Sequence, residues 1–145
     1  MTTKLVIGLD GKNSGDRALA YGKQMAKLIG SCELLIVYII EWSPYSFQTA
    51  EENAERHKRR EEEISLAKER VVDPAVAALK EAGFAARGLV RHGHVASTLN
   101  AIAVEENAEQ IIVNRSSQGG ITERIFGSSV VNLVMNASVP VTVVS

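Results

Sequence analysis

Two stretches of this chain carry groups suited to holding an anion or a small polar molecule. One is Asp10-Gly11-Lys12. The other runs from Asn114 through Ser129, the longest connection rich in glycine and serine, and closes on Gly127-Ser128-Ser129. That closing triplet reads as a helix start. A helix start offers unpaired N–H groups and about half a positive charge, which suits a phosphate. Gly127 lets the backbone come close to an anion. Ser128 and Ser129 add hydroxyl donors, or one of them caps the helix. Asp10 can accept a hydrogen bond from a ribose hydroxyl or an adenine amino group. Each residue also has a plainly structural use. Ser128 can serve as a cap alone, Gly119-Gly120 as a flexible loop, and Asp10 as the closure of an Asx-turn with Gly11.

The elements that must position these groups follow from hydropathy. Leu5–Leu9 is a short apolar run closed by Asp10-Gly11 and reads as a buried strand. A helix is expected over about Ser14–Ile29, stopped by Gly30. Glu33–Ile40 is almost unbroken apolar, as in a parallel strand covered on both faces. Trp42–Thr49 reads as a loop. Ala50–Ala82 is a long charged helical segment of mixed sign, with a kink or break near Asp73 forced by Pro74, and Gly83 ends it. Ala85–Arg91 is a weaker third strand, turned at Gly93. Val95–Val104 is a helix with Leu99, Ile102 and Ala103 as its apolar stripe. Gln110–Val113 is the fourth strand. A helical turn near Thr122–Phe126, a separate helix from Gly127 to about Asn136, and a last strand Pro140–Val144 complete the chain.

Strand and helix alternate throughout, which predicts a single α/β domain over residues 1–145. Its open parallel sheet would have five strands in the order 3-2-1-4-5, with helices on both faces. Ligands of such sheets lie beyond the carboxyl ends of the strands, where the order reverses. Here that is between strands one and four, and both stretches named above flank it.

Composition narrows the function classes. The chain has 145 residues, 46% hydrophobic and 23% charged, with 16 Lys and Arg against 17 Asp and Glu. A near-neutral chain lacks the basic footprint of a nucleic-acid binder. No apolar run approaches the roughly 20 residues that span a bilayer, and Met-Thr-Thr-Lys leads straight into a strand, so a cytoplasmic location is expected. The one cysteine, Cys32, excludes an internal disulfide and a Cys-cluster metal site. His57, His92 and His94 have no carboxylate or cysteine completing an obvious metal set, so no metal site is expected. No Gly-x-x-x-x-Gly-Lys-Ser/Thr loop, no Gly-x-Gly-x-x-Gly after strand one and no nucleophile elbow is present. Trp42, Tyr45 and Phe47 read as covering the sheet's end or an interface.

These residues together resemble the universal stress protein family over the whole chain. Val6-Ile7-Gly8-Leu9-Asp10-Gly11 is similar to the family's opening strand, and Arg17-Ala18-Leu19 with Ala26 to its first helix. Arg91-His92-Gly93-His94 stands where the family turns after strand three. Glu105-Glu106-Asn107-Ala108-Glu109-Gln110-Ile111-Ile112-Val113 resembles its approach to strand four, and Gly127-Ser128 with Ser138-Val139-Pro140-Val141-Thr142-Val143-Val144 its last helix and strand.

The resemblance implies ATP or a related adenine nucleotide as ligand, with room for Mg on the phosphates. It also implies a twofold homodimer through residues 140–145, an exposed apolar edge that needs pairing. Asp10 would meet the ribose or adenine, with Gly8 near the base and Ile39 packed on it. Asn114, Arg115 and Ser117 would line the ribose and phosphates, and Gly127, Ser128, Ser129 and Val130 would hold the phosphates. Nucleotide-binding members carry Gly, two residues, Gly, nine residues, then Gly-Ser or Gly-Thr. This chain keeps the end at Gly127-Ser128 but has Asn114 and Ser117 at the two front glycines. Asn tolerates left-handed φ, so the loop can keep its shape, while the Asn114 side chain can bond a ribose or block it. The alternative is a dimeric stress protein that binds no nucleotide and acts through protein partners. Any hydrolysis would be slow, since no general base is evident.

Overall fold

The computed structural model describes residues 2–10, 15–41, 50–115 and 122–145, and for 15, 16, 53 and 122–128 the backbone alone. Gly11 and Lys12, the expected loop 42–49 with Trp42, Tyr45 and Phe47, and Ser117 lie outside these residues.

The strands are β1 (Thr3–Leu9), β2 (Cys32–Glu41), β3 (Ala85–Gly93), β4 (Gln110–Asn114) and β5 (Val141–Val144). They form one five-stranded parallel sheet in the order β3-β2-β1-β4-β5. This is the expected topology, with β1 at the centre and the order reversing between β1 and β4. The helices are α1 (Gly15–Ile29), α2 (Ala50–Ala67), α3 (Asp73–Glu81), α4 (Val95–Glu105) and α5 (Thr122–Asn136).

Two apolar cores sandwich the sheet. Leu5, Ile7, Leu34, Ile36 and Ile112 pack with Ala18 and Ala26 of α1 and Val76 and Leu79 of α3. Val6, Leu35, Val37, Ile39, Ile111 and Val113 face the other way, onto Leu99, Ile102 and Ala103 of α4 and Leu133 of α5. Successive strand residues alternate between the two cores, as the pleat requires. Gly88 of β3 permits the close approach of the α3 side. A Cβ there would run into Val72 Cγ1 and lie 3.2 Å from Val76 Cγ2.

The expected break near Asp73 takes a different form. A π-helical segment, Lys68–Val72, joins α2 to α3, and Pro74 sits in the first turn of α3. Proline lacks an N–H and crowds the carbonyl four residues back. One widened turn relieves that crowding without ending the helix. Gly30 and Gly83, at φ +92° and +94°, end α1 and α3 in the left-handed conformation, and Asn107 does the same after α4 at φ +55°.

Ion pairs fix the end of the sheet opposite the β1/β4 crevice. Arg87 of β3 meets Glu33 Oε1 at 3.2 Å and also bonds Glu106, which in turn receives Lys4 Nζ at 3.3 Å. Glu106 is the C-cap of α4. The two cations therefore offset a carboxylate placed at the negative end of that helix. Tying down the C-terminus of α4 also fixes where its N-terminal turn stands beside the carboxyl ends of the strands.

Candidate functional site

A cleft of about 440 Å³ opens beyond the carboxyl ends of β1, β2 and β4. That volume lies within the roughly 300–1,000 Å³ of small-molecule sites. Its floor is Gly8. A Cβ on Gly8 would come within 3.2 Å of both Leu99 Cδ1 and Val113 Cγ1, so the missing side chain leaves the space. Val37, Ile39, Leu99, Val113 and Leu133 supply apolar walls, and all five are buried. Asp10 stands at the end of β1, Glu41 at the end of β2, and Ser129 on α5. The strand register sets this arrangement, because Gly8 lies between Val37 of β2 and Val113 of β4.

The cleft brings together Gly8, Asp10, Ile39, Asn114, Ser129 and Val130 of the residues expected from sequence. Arg115 does not line it. This residue is exposed just past β4, where its N–H donates to the Val144 carbonyl at 2.7 Å.

Gly127 and Ser128 call for a correction. Thr122–Asn136 is a single helix, so Gly127-Ser128-Ser129 lies inside α5 rather than at its start. In a helix interior each N–H pairs with the carbonyl four residues back and is no longer free for an anion. Helix propagation is cooperative once a first turn has formed, and an interior glycine costs only about 1 kcal/mol. The turn at Thr122–Phe126 therefore runs on through Gly127.

Asn114 borders the cleft, but its carboxamide does not face it. Ile111 and Val113 point to the α4/α5 core and Ile112 to the α1 core, so alternation turns Asn114 toward α1. Oδ1 and Nδ2 of Asn114 are both sealed from solvent, with no hydrogen-bond partner among the described residues. By this alternation the side chain is turned away from the cleft that the residue borders. Val95 and Leu133 are cleft residues that sequence reasoning missed. Leu133 falls one turn after Ser129 on α5, and that helical spacing is the signal that could have found it.

Among the described residues, no group of three or more His, Cys, Asp or Glu is placed to hold a metal. Among the same residues, no helix is long and apolar enough to cross a membrane.

The match to the universal stress protein family model spans residues 1–145. The chain belongs to that family. A search of curated proteins finds no match. Solved structures do match. The universal stress protein UspA from Lactobacillus plantarum superposes with a TM-score of 0.80 at 15% identity, covering 99% of this chain and 97% of that one. A universal stress protein from Archaeoglobus fulgidus in complex with dAMP gives 0.60 at 16%, covering 99% and 98%. A universal stress protein in complex with cAMP gives 0.63 at 21%, covering 99% and 96%. At these identities the likeness is one of fold, and in each case it extends over nearly all of both chains.

Proposed function

We propose that this universal stress protein is a small regulatory module of the stress response that binds ATP or a related adenine nucleotide in the β1/β4 cleft. One observation carries the reading: an apolar slot floored by Gly8, with Asp10 at its rim, lies where the strand order reverses. The fit is chemical. Adenine has two apolar faces and a polar edge. The faces match Val37, Ile39, Leu99 and Val113, while Asp10 can accept from the exocyclic amino group or a ribose hydroxyl. The dAMP and cAMP held by proteins of this fold support adenine as the base. Ser129 and Val130 then stand on the phosphate side, with Mg²⁺ accompanying a triphosphate. Turnover of the nucleotide would be slow. We further propose that two copies pair through β5, at the edge of the sheet, and that the protein works in the cytoplasm.

Calorimetric titration with AMP, ADP and ATP tests the reading, together with mass spectrometry of whatever co-purifies. Heat saturating at one site per chain is the expected result. No heat and no bound nucleotide would overturn it.

A second reading has its own observation. Val131, Val134 and Met135 on α5 are 57%, 53% and 76% exposed, an apolar stripe available to a protein partner. If the native chain is a nucleotide-free interaction protein, titration with ATP should give no heat and no nucleotide should co-purify with it.

A further inference from the structure

The cleft does not end at Ser129. It continues into a second groove of about 690 Å³ between α4 and α5, and the two share Glu41, Val95, Ser129 and Leu133. Their linings differ in kind. Buried aliphatic side chains wall the cleft. The groove adds His94 and Ser97 at the start of α4, Asn100 one turn on, and Asn132 and Asn136 of α5. Ser97, Asn100, Asn132 and Asn136 are neutral hydrogen-bonding groups, and Glu41 adds a carboxyl at the junction with the cleft.

Contacts within the walls hold these groups in place. Asn100 Oδ1 accepts from the Ser138 N–H at 2.8 Å. Asn136 Nδ2 donates to Asn132 Oδ1 at 2.7 Å and to the Asn132 carbonyl at 3.0 Å. A carboxamide carries two N–H donors and two acceptor lone pairs. The pair thus uses the amino group of Asn136 and the oxygen of Asn132. Among the described residues, the Asn132 amino group and the Asn136 side-chain oxygen have no further partner. Oriented neutral donors and acceptors suit a group bearing several hydroxyls. An apolar group would desolvate them without return.

We propose that the full ligand of this site is an adenine nucleotide extended by a sugar, of the ADP-sugar class. Its adenine lies in the cleft and its terminal sugar on Ser97, Asn132 and Asn136. The inference rests on the adenine reading above and adds the identity of what the base carries.

Calorimetric titration of the full chain with AMP, ADP, ADP-ribose and ADP-glucose tests it. At least one ADP-sugar should bind about tenfold or more tighter than ADP, the gain of roughly one good hydrogen-bonded contact. A Ser97→Ala, Asn132→Leu variant should bring that ligand down to the affinity of ADP and leave AMP unchanged. Both positions line the groove and not the cleft. If AMP and ADP bind while the ADP-sugars bind no tighter, this inference is overturned and the adenine reading stands. A preference that survives in the variant overturns the groove assignment. Absence of binding by all four ligands overturns both readings together.

Discussion

The buried amide of Asn114 makes a quantitative prediction about stability. Asn114 is 8% exposed, and neither polar atom of its side chain has a partner among the described residues. A buried polar group left unpaired costs about 1–3 kcal/mol. Leucine places two methyl groups close to the positions of Oδ1 and Nδ2 and needs no partner. Asn114→Leu should therefore stabilise the protein by about 1–3 kcal/mol, less whatever the slightly bulkier methyls cost in overpacking. For a domain of this size each kcal/mol corresponds to roughly 2–4 °C in Tm. Urea unfolding provides the cleaner measure: the midpoint should rise while the slope m stays constant. The same variant probes direction. Because the side chain points to α1, nucleotide affinity should stay within about threefold of the native value, or well under 1.4 kcal/mol. A loss of 1 kcal/mol or more in stability at constant m would mean that the amide is paired after all. A tenfold loss of affinity with stability intact would mean that the side chain faces the ligand. Either result would refute the alternation argument.

Two further perturbations act at opposite ends of the sheet. Gly8→Val places branched methyls between Leu99 and Val113, where a single Cβ already sits at 3.2 Å from each. Adenine nucleotide affinity should drop by at least about tenfold, with an overpacking cost of about 1–3 kcal/mol; undiminished binding would place the base elsewhere. At the other end, the hydrogen bond from Arg87, with Lys4 adding to it, holds the Glu106 carboxyl below its ordinary value. A carboxylate depressed in the folded state adds stability that is complete above the ordinary value and is lost as pH falls through the folded one. Glu106→Gln should flatten that acid limb by no more than about 1 kcal/mol, since the pair is partly solvated, and an unchanged slope in urea unfolding against pH would remove the network as its source.

The sheet was legible because its signals are local and redundant. Apolar runs at Leu5–Leu9 and Glu33–Ile40, each followed by a helical stretch, leave a parallel sheet as the simple solution, and the crevice follows from its strand order. Three features escaped, each for a physical reason. Gly127-Ser128 carries the signature of a helix start, yet cooperativity lets the turn from Thr122 run through it. Pro74 signals a break, yet a π-helical turn absorbs the same crowding. The direction of Asn114 could not be read because Ile111, Ile112 and Val113 are all apolar. A strand covered on both faces has no alternation in its sequence to tell one face from the other.

That third point changes what the departure from the family's glycine pattern means. A glycine at the end of β4 admits a close approach on either face of the sheet. Asparagine there turns its side chain toward α1, and among the described residues its two polar atoms have no partner. The face that borders the cleft keeps Gly8, Val113 and the backbone of Asn114. On this argument the asparagine should cost the fold stability without obstructing the slot. Gly8, whose missing side chain leaves the space between Leu99 and Val113, has the more direct control over what can enter. If the cleft holds a base as proposed, it should keep that base with asparagine at position 114 and lose it with valine at position 8.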